Sequence, residues 1–202
     1  MTLSPLEQIK AKINPYAERD AVLARLARGT VADITPEDDV VLRWHGLYRH
    51  RPAEDGVFML RIKLPNGEIT APQVGTVAAI ARALGAEYVN LTTRQDLQLY
   101  GLPLSALPAA FAALDAAGLT SQGACGDAVR NVIGCPAAGL AHDEITDTLP
   151  IARALTEAFL GNPAFANLPR KFKIAISADG CVPARINDIA LLAAPNASGS
   201  PG

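Results

Sequence analysis

The sequence predicts an α+β protein in which helices cover one face of an open sheet. Strand-like and helix-like segments alternate over residues 57–118, and each strand-like segment alternates apolar with polar side chains. Half of the 202 residues are apolar, which is enough to bury a core in one large domain or two small ones. We therefore expect a globular chain.

The charge balance limits the kinds of partner. The 18 cationic and 20 acidic side chains leave a net charge of −2, so no global positive field recruits nucleic acid. No secretory segment opens the chain and no apolar run is long enough to span a membrane, which predicts a cytoplasmic protein without membrane partners. Cys125, Cys135 and Cys181 form no close pair and are odd in number, so a disulfide framework is not expected.

The first elements follow from caps and apolar spacing. Residues 1–40 are predicted to form a helical extension, and "VFMLRIKL" (57–64) to form a strand. A helix follows in "TAPQVGTVAAIARALG", where Thr70 is placed as N-cap and Gly85 lies beyond the end. The stretch "NLTTRQDLQLYG" (90–101) is predicted to form one strand, with a second helix after it in "PLSALPAAFAALDAAG". We expect the sheet face opposite the helices to stay free.

The second half of the chain is predicted to be rich in loops. Glycine and proline punctuate "QGACGDAVRNVIGCPAAGL", and a helix follows in "TDTLPIARALTEAFLG" with Ile151, Leu155 and Phe159 on one stripe. "KFKIAISA" is predicted to be a strand, and "APNASGSPG" a polar tail.

Cationic side chains recur on the non-core side of the predicted strands. Because like charges a few ångströms apart repel, a cluster of them favours binding of an anion such as an oxyanion or a polycarboxylate. The alternative is a set of solvated arms on an exposed sheet face. The residues concerned are Arg61, Lys63, Arg94, Lys171 and Lys173, with Arg130 in the glycine-rich loop.

Four blocks, in order, resemble the N-terminal half of sirohaem-dependent nitrite and sulfite reductases: "FMLRIKLPNGEIT", "NLTTRQDLQLYG", "GACGDAVRNVIGCPAAG" and "NLPRKFKIAIS…INDIAL". The resemblance spans roughly 39–193. It implies a ferredoxin-like half domain followed by a partial sirohaem and iron–sulfur α+β domain. The expected divisions are a helical extension (1–40), the half domain (41–118), the partial sirohaem-binding domain (119–193) and a flexible tail (194–202).

The resemblance also implies site residues and chemistry. The complete enzymes reduce nitrite to ammonia or sulfite to sulfide with six electrons from ferredoxin or another donor, and use sirohaem and a 4Fe–4S cluster. The "KFK" block resembles the sulfite-reducing branch, whereas "EDDVVLRWHGLY" resembles ferredoxin–nitrite reductases, so the substrate stays open. The implied catalytic residues are Arg61, Arg130, Lys171 and Lys173, and the implied cofactor contacts are Thr92, Arg94, Gln98 and Asn131.

The chain departs from the family pattern in the cysteines that ligate the iron–sulfur cluster. Family members hold the cluster with four cysteines in two closely spaced pairs, and no such block occurs here, so no metal ligand is predicted. We therefore expect a half-length fragment or truncated homologue, which either homodimerises or pairs with a separately encoded second half. The strand with Met59 and Arg61 is expected near that contact.

Two alternatives belong to other classes. A non-catalytic remnant would bind a tetrapyrrole or a protein partner without turnover. A single-stranded RNA-binding module would use the polar sheet face, but that face has few aromatic side chains for stacking and the chain is slightly acidic.

Overall fold

The computed structural model describes residues 3–50, 56–86, 88–178 and 180–195. A four-stranded antiparallel sheet in the order β1-β2-β4-β3 forms its centre, and a two-stranded parallel sheet, β5-β6, lies in the second half. The strands are β1 (Leu47–Arg49), β2 (Val57–Ile62), β3 (Asn90–Leu91), β4 (Leu97–Pro103), β5 (Ile174–Ser177) and β6 (Ile189–Leu192). The helices are α1 (Pro5–Lys10), α2 (Arg19–Leu26), α3 (Pro36–Trp44), α4 (Ala71–Ala83), α5 (Leu107–Ala116) and α6 (Leu149–Phe159).

Helix α4 begins and ends where its caps predict. The Thr70 hydroxyl accepts from the backbone N–H of Gln73, and the Gln73 side chain accepts from the N–H of Thr70 in return. Gly85 takes a φ of +68° just after the helix. The helix packs against the sheet together with α5, and their buried apolar side chains share one core with Leu60 and Leu99 of the central strands.

The N-terminal helices are part of this fold rather than a separate extension. Val22, Leu23 and Leu26 of α2 lie in the same core as the sheet, and α3 crosses the boundary predicted after residue 40. The indole N–H of Trp44 donates to the carbonyl of Ala166 at 3.0 Å, which ties α3 to the second half of the chain.

Residues 90–101 do not form one strand, contrary to the sequence-based expectation. Strands β3 and β4 pair with each other, Asn90 with Gln98 and Leu91 with Leu97, so the intervening residues turn the chain back. The Thr92 hydroxyl accepts from the backbone N–H groups of residues 94 and 96, and Gln95, which lies between them, has a φ of +57°. This local hydroxyl turn overrides the alternating pattern. Residue 94 therefore lies in a hairpin turn, not on a strand face with Gln98.

The sheet face opposite the helices is not free. The side chains of Arg61 and Lys63, on this face, donate to the carbonyls of Ala124 and Val129, so the loop that follows α5 covers part of the face. Met59, expected near a contact surface between chains, is only 8% exposed, and its strand β2 lies between β1 and β4. A strand edge for docking is therefore not found at β2.

The structure differs from two further expectations for the second half. Lys171 and Lys173 precede β5 rather than lying on it, and Lys171 has a φ of +64°. Helix α6 buries Ala152 and Thr156, while Ile151 of the predicted stripe is exposed. No helix in the described ranges is long and apolar enough to cross a membrane.

Candidate oxyanion and cofactor site

Five cationic side chains line one cavity of about 250 Å³, which we call the cationic cavity. It forms where β2, the β3–β4 hairpin and the segments around residues 130 and 171–173 meet. Seven of the eight site residues implied by the sequence line it, and the exception is Asn131. The lining residues are Arg61, Thr92, Thr93, Arg94, Asp96, Gln98, Arg130, Lys171 and Lys173.

Arg61 is held in place by groups around the cavity. Its Nη1 donates to the carbonyl of Ala124 at 3.3 Å and to the sulfur of Cys125 at 3.4 Å. With the Gln98 amide oxygen facing the guanidinium, that oxygen accepts from Nε at 2.9 Å and from Nη2 at 2.6 Å, and the amide nitrogen donates to Tyr100. The strand β4 thus orients an arginine that β2 carries.

Arg130 shares an acceptor with Arg61. Its Nη1 donates to the same Ala124 carbonyl at 2.5 Å, and the side chain is almost fully buried. Its Nε is buried and has no partner among the described residues. Two guanidinium groups therefore meet at one carbonyl oxygen, and the Arg130 Nε is a donor without a protein partner in the described ranges.

Arg94 connects three parts of the chain. Its Nη1 donates to the side-chain oxygen of Asn187 at 2.9 Å, and its Nη2 donates to the carbonyls of Asn131 at 3.0 Å and Ile174 at 2.8 Å. Burial lowers the pKa of Arg94 to about 10. Its buried Nε has no partner in the described part of the chain. Three of the five N–H donors of this guanidinium are thus bound to protein, and the Nε donor has no protein partner there.

A second cavity, of about 430 Å³, adjoins the first. Thr93, Arg94 and Lys173 line both cavities, so the two form one continuous surface. The other residues that line the larger cavity are mainly apolar or glycine, including Ile133, Gly134 and Pro136. An elongated ligand with anionic groups would contact both.

The hairpin turn is fixed by three side-chain amides, which we call the amide clamp: Asn66, Gln95 and Asn131. The Asn131 amide donates to the carbonyls of Leu64, Arg94 and Gln95, at 2.5, 3.0 and 3.2 Å. The Gln95 amide donates to the Gly134 carbonyl and accepts from the Gly134 N–H, while Asn66 donates to the Cys135 carbonyl. Asn131 is fully buried and orients the turn that carries Arg94.

Gly134 is required where the clamp closes. A Cβ at this position would lie 2.0 Å from the side-chain oxygen of Asn66, a separation that real Cβ atoms do not show. The sequence offered a signal for two clamp members, because Gln95 belongs to the "TTRQ" block that carries the resemblance and Asn131 is one of the implied cofactor contacts. Asn66 and Gly134 become recognisable only once the fold brings them together.

The two lysines complete the cavity wall from its open side. Lys171 is exposed and Lys173 half-buried, and the backbone N–H of Lys173 donates to the carboxylate of Asp188 at 2.8 Å. Lys63, by contrast, is buried outside the cavity lining and donates to the Val129 carbonyl at 3.1 Å. Burial lowers the pKa of Lys63 to about 8.

Asp96 is the acidic residue among the nine that line the cationic cavity. It is 3% exposed, and its Oδ2 lies 3.9 Å from the Nε of Arg61. Burial raises the pKa of Asp96 to about 6, against the opposing effect of the surrounding cations. Asp96 is not among the site residues that the sequence implies.

The described residues contain no group of three or more histidine, cysteine or acidic side chains placed to hold a metal ion. All three cysteines are free thiols. Cys125 is buried in the loop that follows α5, its sulfur accepts from Nη1 of Arg61, and burial raises the pKa of its thiol. Cys181 is exposed and lines the larger cavity.

Comparisons with known proteins point to one family. Residues 50–117 match the family model described as nitrite/sulfite reductase ferredoxin-like half domain, and residues 125–202 match the nitrite and sulphite reductase 4Fe-4S domain. The ferredoxin–nitrite reductase of Leptolyngbya laminosa is 38% identical over 200 residues, which cover 96% of this chain and 39% of that protein. Sulfite reductase (ferredoxin) 2 of Mycolicibacterium paratuberculosis is 29% identical, over 99% of this chain and 39% of that protein.

A solved structure shows the same fold. The NirA protein of Mycobacterium tuberculosis superposes with a TM-score of 0.91 at 29% sequence identity, over 100% of this chain and 40% of that chain. The chain thus spans about two fifths of the length of the relatives it matches.

Proposed function

Because the chain belongs to the nitrite and sulfite reductase family, we propose that it supplies the sirohaem- and oxyanion-binding part of such an enzyme. The observation that carries this proposal is the convergence of Arg61, Arg94, Arg130, Lys171 and Lys173 on one cavity. Five cations lining one cavity repel one another, and an anion between them turns that repulsion into charge-assisted hydrogen bonds.

The residues fit a tetrapyrrole that carries several carboxylates. Arg94 and Lys173 line both adjoining cavities, and the buried Nε of Arg94 has no partner among the described residues. A carboxylate beside that Nε would satisfy it. We assign the carboxylate contacts to Arg94 and Lys173, with Thr92 and Gln98 beside them. Asn131 has a positioning role, since its amide holds the turn that carries Arg94.

Sirohaem, when bound, would supply the iron to which the substrate binds and through which electrons reach it. The chain's own contribution is electrostatic. Arg61 and Arg130, fixed by the Ala124 carbonyl, neutralise the substrate oxygens, and Lys171 and Lys173 donate hydrogen bonds and protons to them from the open side. Nitrite and sulfite both fit this description.

The 4Fe–4S cluster does not fit the described residues, because no group of cysteines is placed to hold it. No step of the reaction is therefore assigned to a cluster in this chain. We propose that ferredoxin or another donor delivers electrons to the complete enzyme, as the names of the relatives indicate for those proteins. The expected cytoplasmic location rests on the sequence alone.

We further propose that the chain acts together with a second copy or a separately encoded second half. We assign this contact to β6 instead of β2, and the exposed side chains of Ile189, Leu191 and Leu192 support this assignment. Exposed apolar strands at a sheet edge favour association. Sedimentation velocity on the chain, with and without added sulfate, measures whether it self-associates.

The test of cofactor binding is a titration of the purified chain with sirohaem, followed by its Soret absorption. We expect saturable binding that Lys173→Gln weakens about tenfold, because one charge-assisted contact is lost. Arg82→Gln, on the exposed surface of α4, is the matched control and should bind like the unmodified chain. Absence of a saturable Soret change in all three proteins would overturn the assignment.

A further inference from the structure

Asp96 places a carboxylate inside a cavity that is otherwise cationic. The cations that act on it come from every neighbouring element: Arg61 and Lys63 from β2 and the residue after it, Arg94 from the hairpin turn, and Arg130 from the loop. Lys171 and Lys173 line the same cavity from its open side. Gln98, on β4 two residues after Asp96, carries no charge.

This carboxylate is not a well-formed partner for any of those cations. The shortest ion-pair distance, Oδ2 to the Nε of Arg61, is 3.9 Å, which is too long for a hydrogen bond. Its Oδ1 is buried and has no partner among the described residues. The hydrogen bonds that Asp96 does make to Thr92 use its backbone N–H and carbonyl. The turn therefore does not depend on the carboxylate, and a structural role leaves this side chain unexplained.

We propose that Asp96 couples anion binding in the cationic cavity to the uptake of one proton. This inference rests on the proposed function, because it concerns the same cavity. An ionised carboxylate repels an incoming anion at close range, whereas a protonated carboxyl group has no charge and offers an O–H donor to an anion oxygen. The proton comes from solvent and is retained on Asp96 while the anion is bound.

The position of this proton matters for the chemistry. Reduction of an oxyanion releases its oxygens as water, which consumes protons at the oxygens themselves. A carboxyl group that takes up its proton as the anion enters holds a proton at the place of use. Burial already raises the pKa of Asp96 to about 6, so only a moderate further rise is needed to protonate it near neutral pH.

Sulfate binding to the full chain tests the coupling, since sulfate keeps the same charge from pH 5 to 7.5. We expect the dissociation constant to rise up to about tenfold per pH unit above pH 6. Isothermal titration calorimetry at pH 7 in buffers of different ionisation enthalpy should show uptake of close to one proton. Asp96→Asn should bind sulfate about tenfold more tightly at pH 7.5, with little dependence on pH and no uptake at this site.

Asp143→Asn, an exposed acid outside the cavity lining, is the matched control and should behave like the unmodified chain. Lys63 remains in both proteins, so any titration of its ammonium cancels in the comparison. The proton-uptake measurement needs no variant, which keeps the test valid if Asp96→Asn folds poorly. Sulfate binding without proton uptake and without pH dependence would overturn the coupling but leave the anion cavity standing. Absence of sulfate binding at every pH would overturn the coupling as well, and the sirohaem titration would then decide the proposed function separately.

Discussion

The two halves of the molecule are stabilised in different ways. In the half domain, apolar side chains of β2, β4, α4 and α5 form one continuous core. In the second half, the apolar core is small, and the buried amide of Asn131 bonds the loop to the hairpin. The first half resembles an ordinary sandwich, while the second depends on hydrogen bonds between residues that are distant in sequence. The site lies where the two halves meet.

The largest expected effect concerns the apolar core. Leu60 is fully buried and pairs across the sheet with Leu47 on one side and Leu99 on the other. Leu60→Ala should lower the free energy of unfolding by about 2–5 kcal/mol, because it removes buried methyl groups and leaves a cavity. Denaturant unfolding measures this. Leu91→Ala is the matched control in the same sheet, since Leu91 is 80% exposed, and it should change the free energy by less than about 0.5 kcal/mol.

The difference between the halves explains which elements can be predicted correctly from the sequence and which cannot. Helix α4 is predictable because its cap residues Thr70 and Gln73 are local and its apolar spacing is regular. The hairpin at residues 92–96 is not, because the same letters also suit a continuous strand and the Thr92 hydroxyl decides between them. The amide clamp is unpredictable for another reason, since Asn131 finds its acceptors far away in sequence.

The candidate site also contains residues that could be inferred from the sequence and residues that could not. Its cations could be inferred from the family blocks, and the structure brings Arg61, Arg130 and Lys173 to one cavity. Strand alternation holds for Arg61 but not for Arg94, which lies in the turn, or for Lys173, which precedes β5. Lys63 shares the pattern but is buried outside the lining. The role of Asp96 could not be inferred, because it depends on burial and on the missing hydrogen-bond partner of Oδ1.

The next prediction uses two buried titratable groups with opposite pH dependence, His45 at the end of α3 and Asp96 in the cationic cavity. Burial lowers the pKa of His45 from 6.5 to about 4, so its contribution to stability is lost as pH falls through this range. Burial raises the pKa of Asp96 from 3.8 to about 6, so its contribution is lost as pH rises. Each effect is on the order of 3 kcal/mol, and the two oppose each other between about pH 4 and 6.

Single variants should separate these contributions in denaturant unfolding from pH 4 to 6.5. Relative to the unmodified chain, Asp96→Asn should gain stability as pH rises, and His45→Gln should lose stability over the same range. Other carboxylates titrate in all three proteins and cancel in the comparison. Parallel curves for the three proteins would show that neither group is desolvated as the fold indicates.

The smallest expected effect concerns the amide clamp, and it distinguishes local from global stabilisation. Asn131→Ala removes the two amide hydrogens whose hydrogen bonds are shared among the carbonyls of Leu64, Arg94 and Gln95. Each such bond contributes roughly 1 kcal/mol, and relaxation of the freed carbonyls toward water offsets part of the loss, so we expect a decrease of about 1–3 kcal/mol. Because the clamp holds the turn rather than the core, the decrease should appear as local opening.

Hydrogen exchange followed residue by residue measures that opening. The backbone N–H of Asp96, which donates to the Thr92 hydroxyl inside the turn, should exchange faster in Asn131→Ala, while the amides of α4 should keep their protection. Gln73→Ala, which removes a cap from α4 instead, is the matched control and should show the reverse pattern. Equal acceleration in the turn and in α4 would mean that the clamp and the apolar core unfold as one cooperative unit, and that the two halves differ in composition but not in stability.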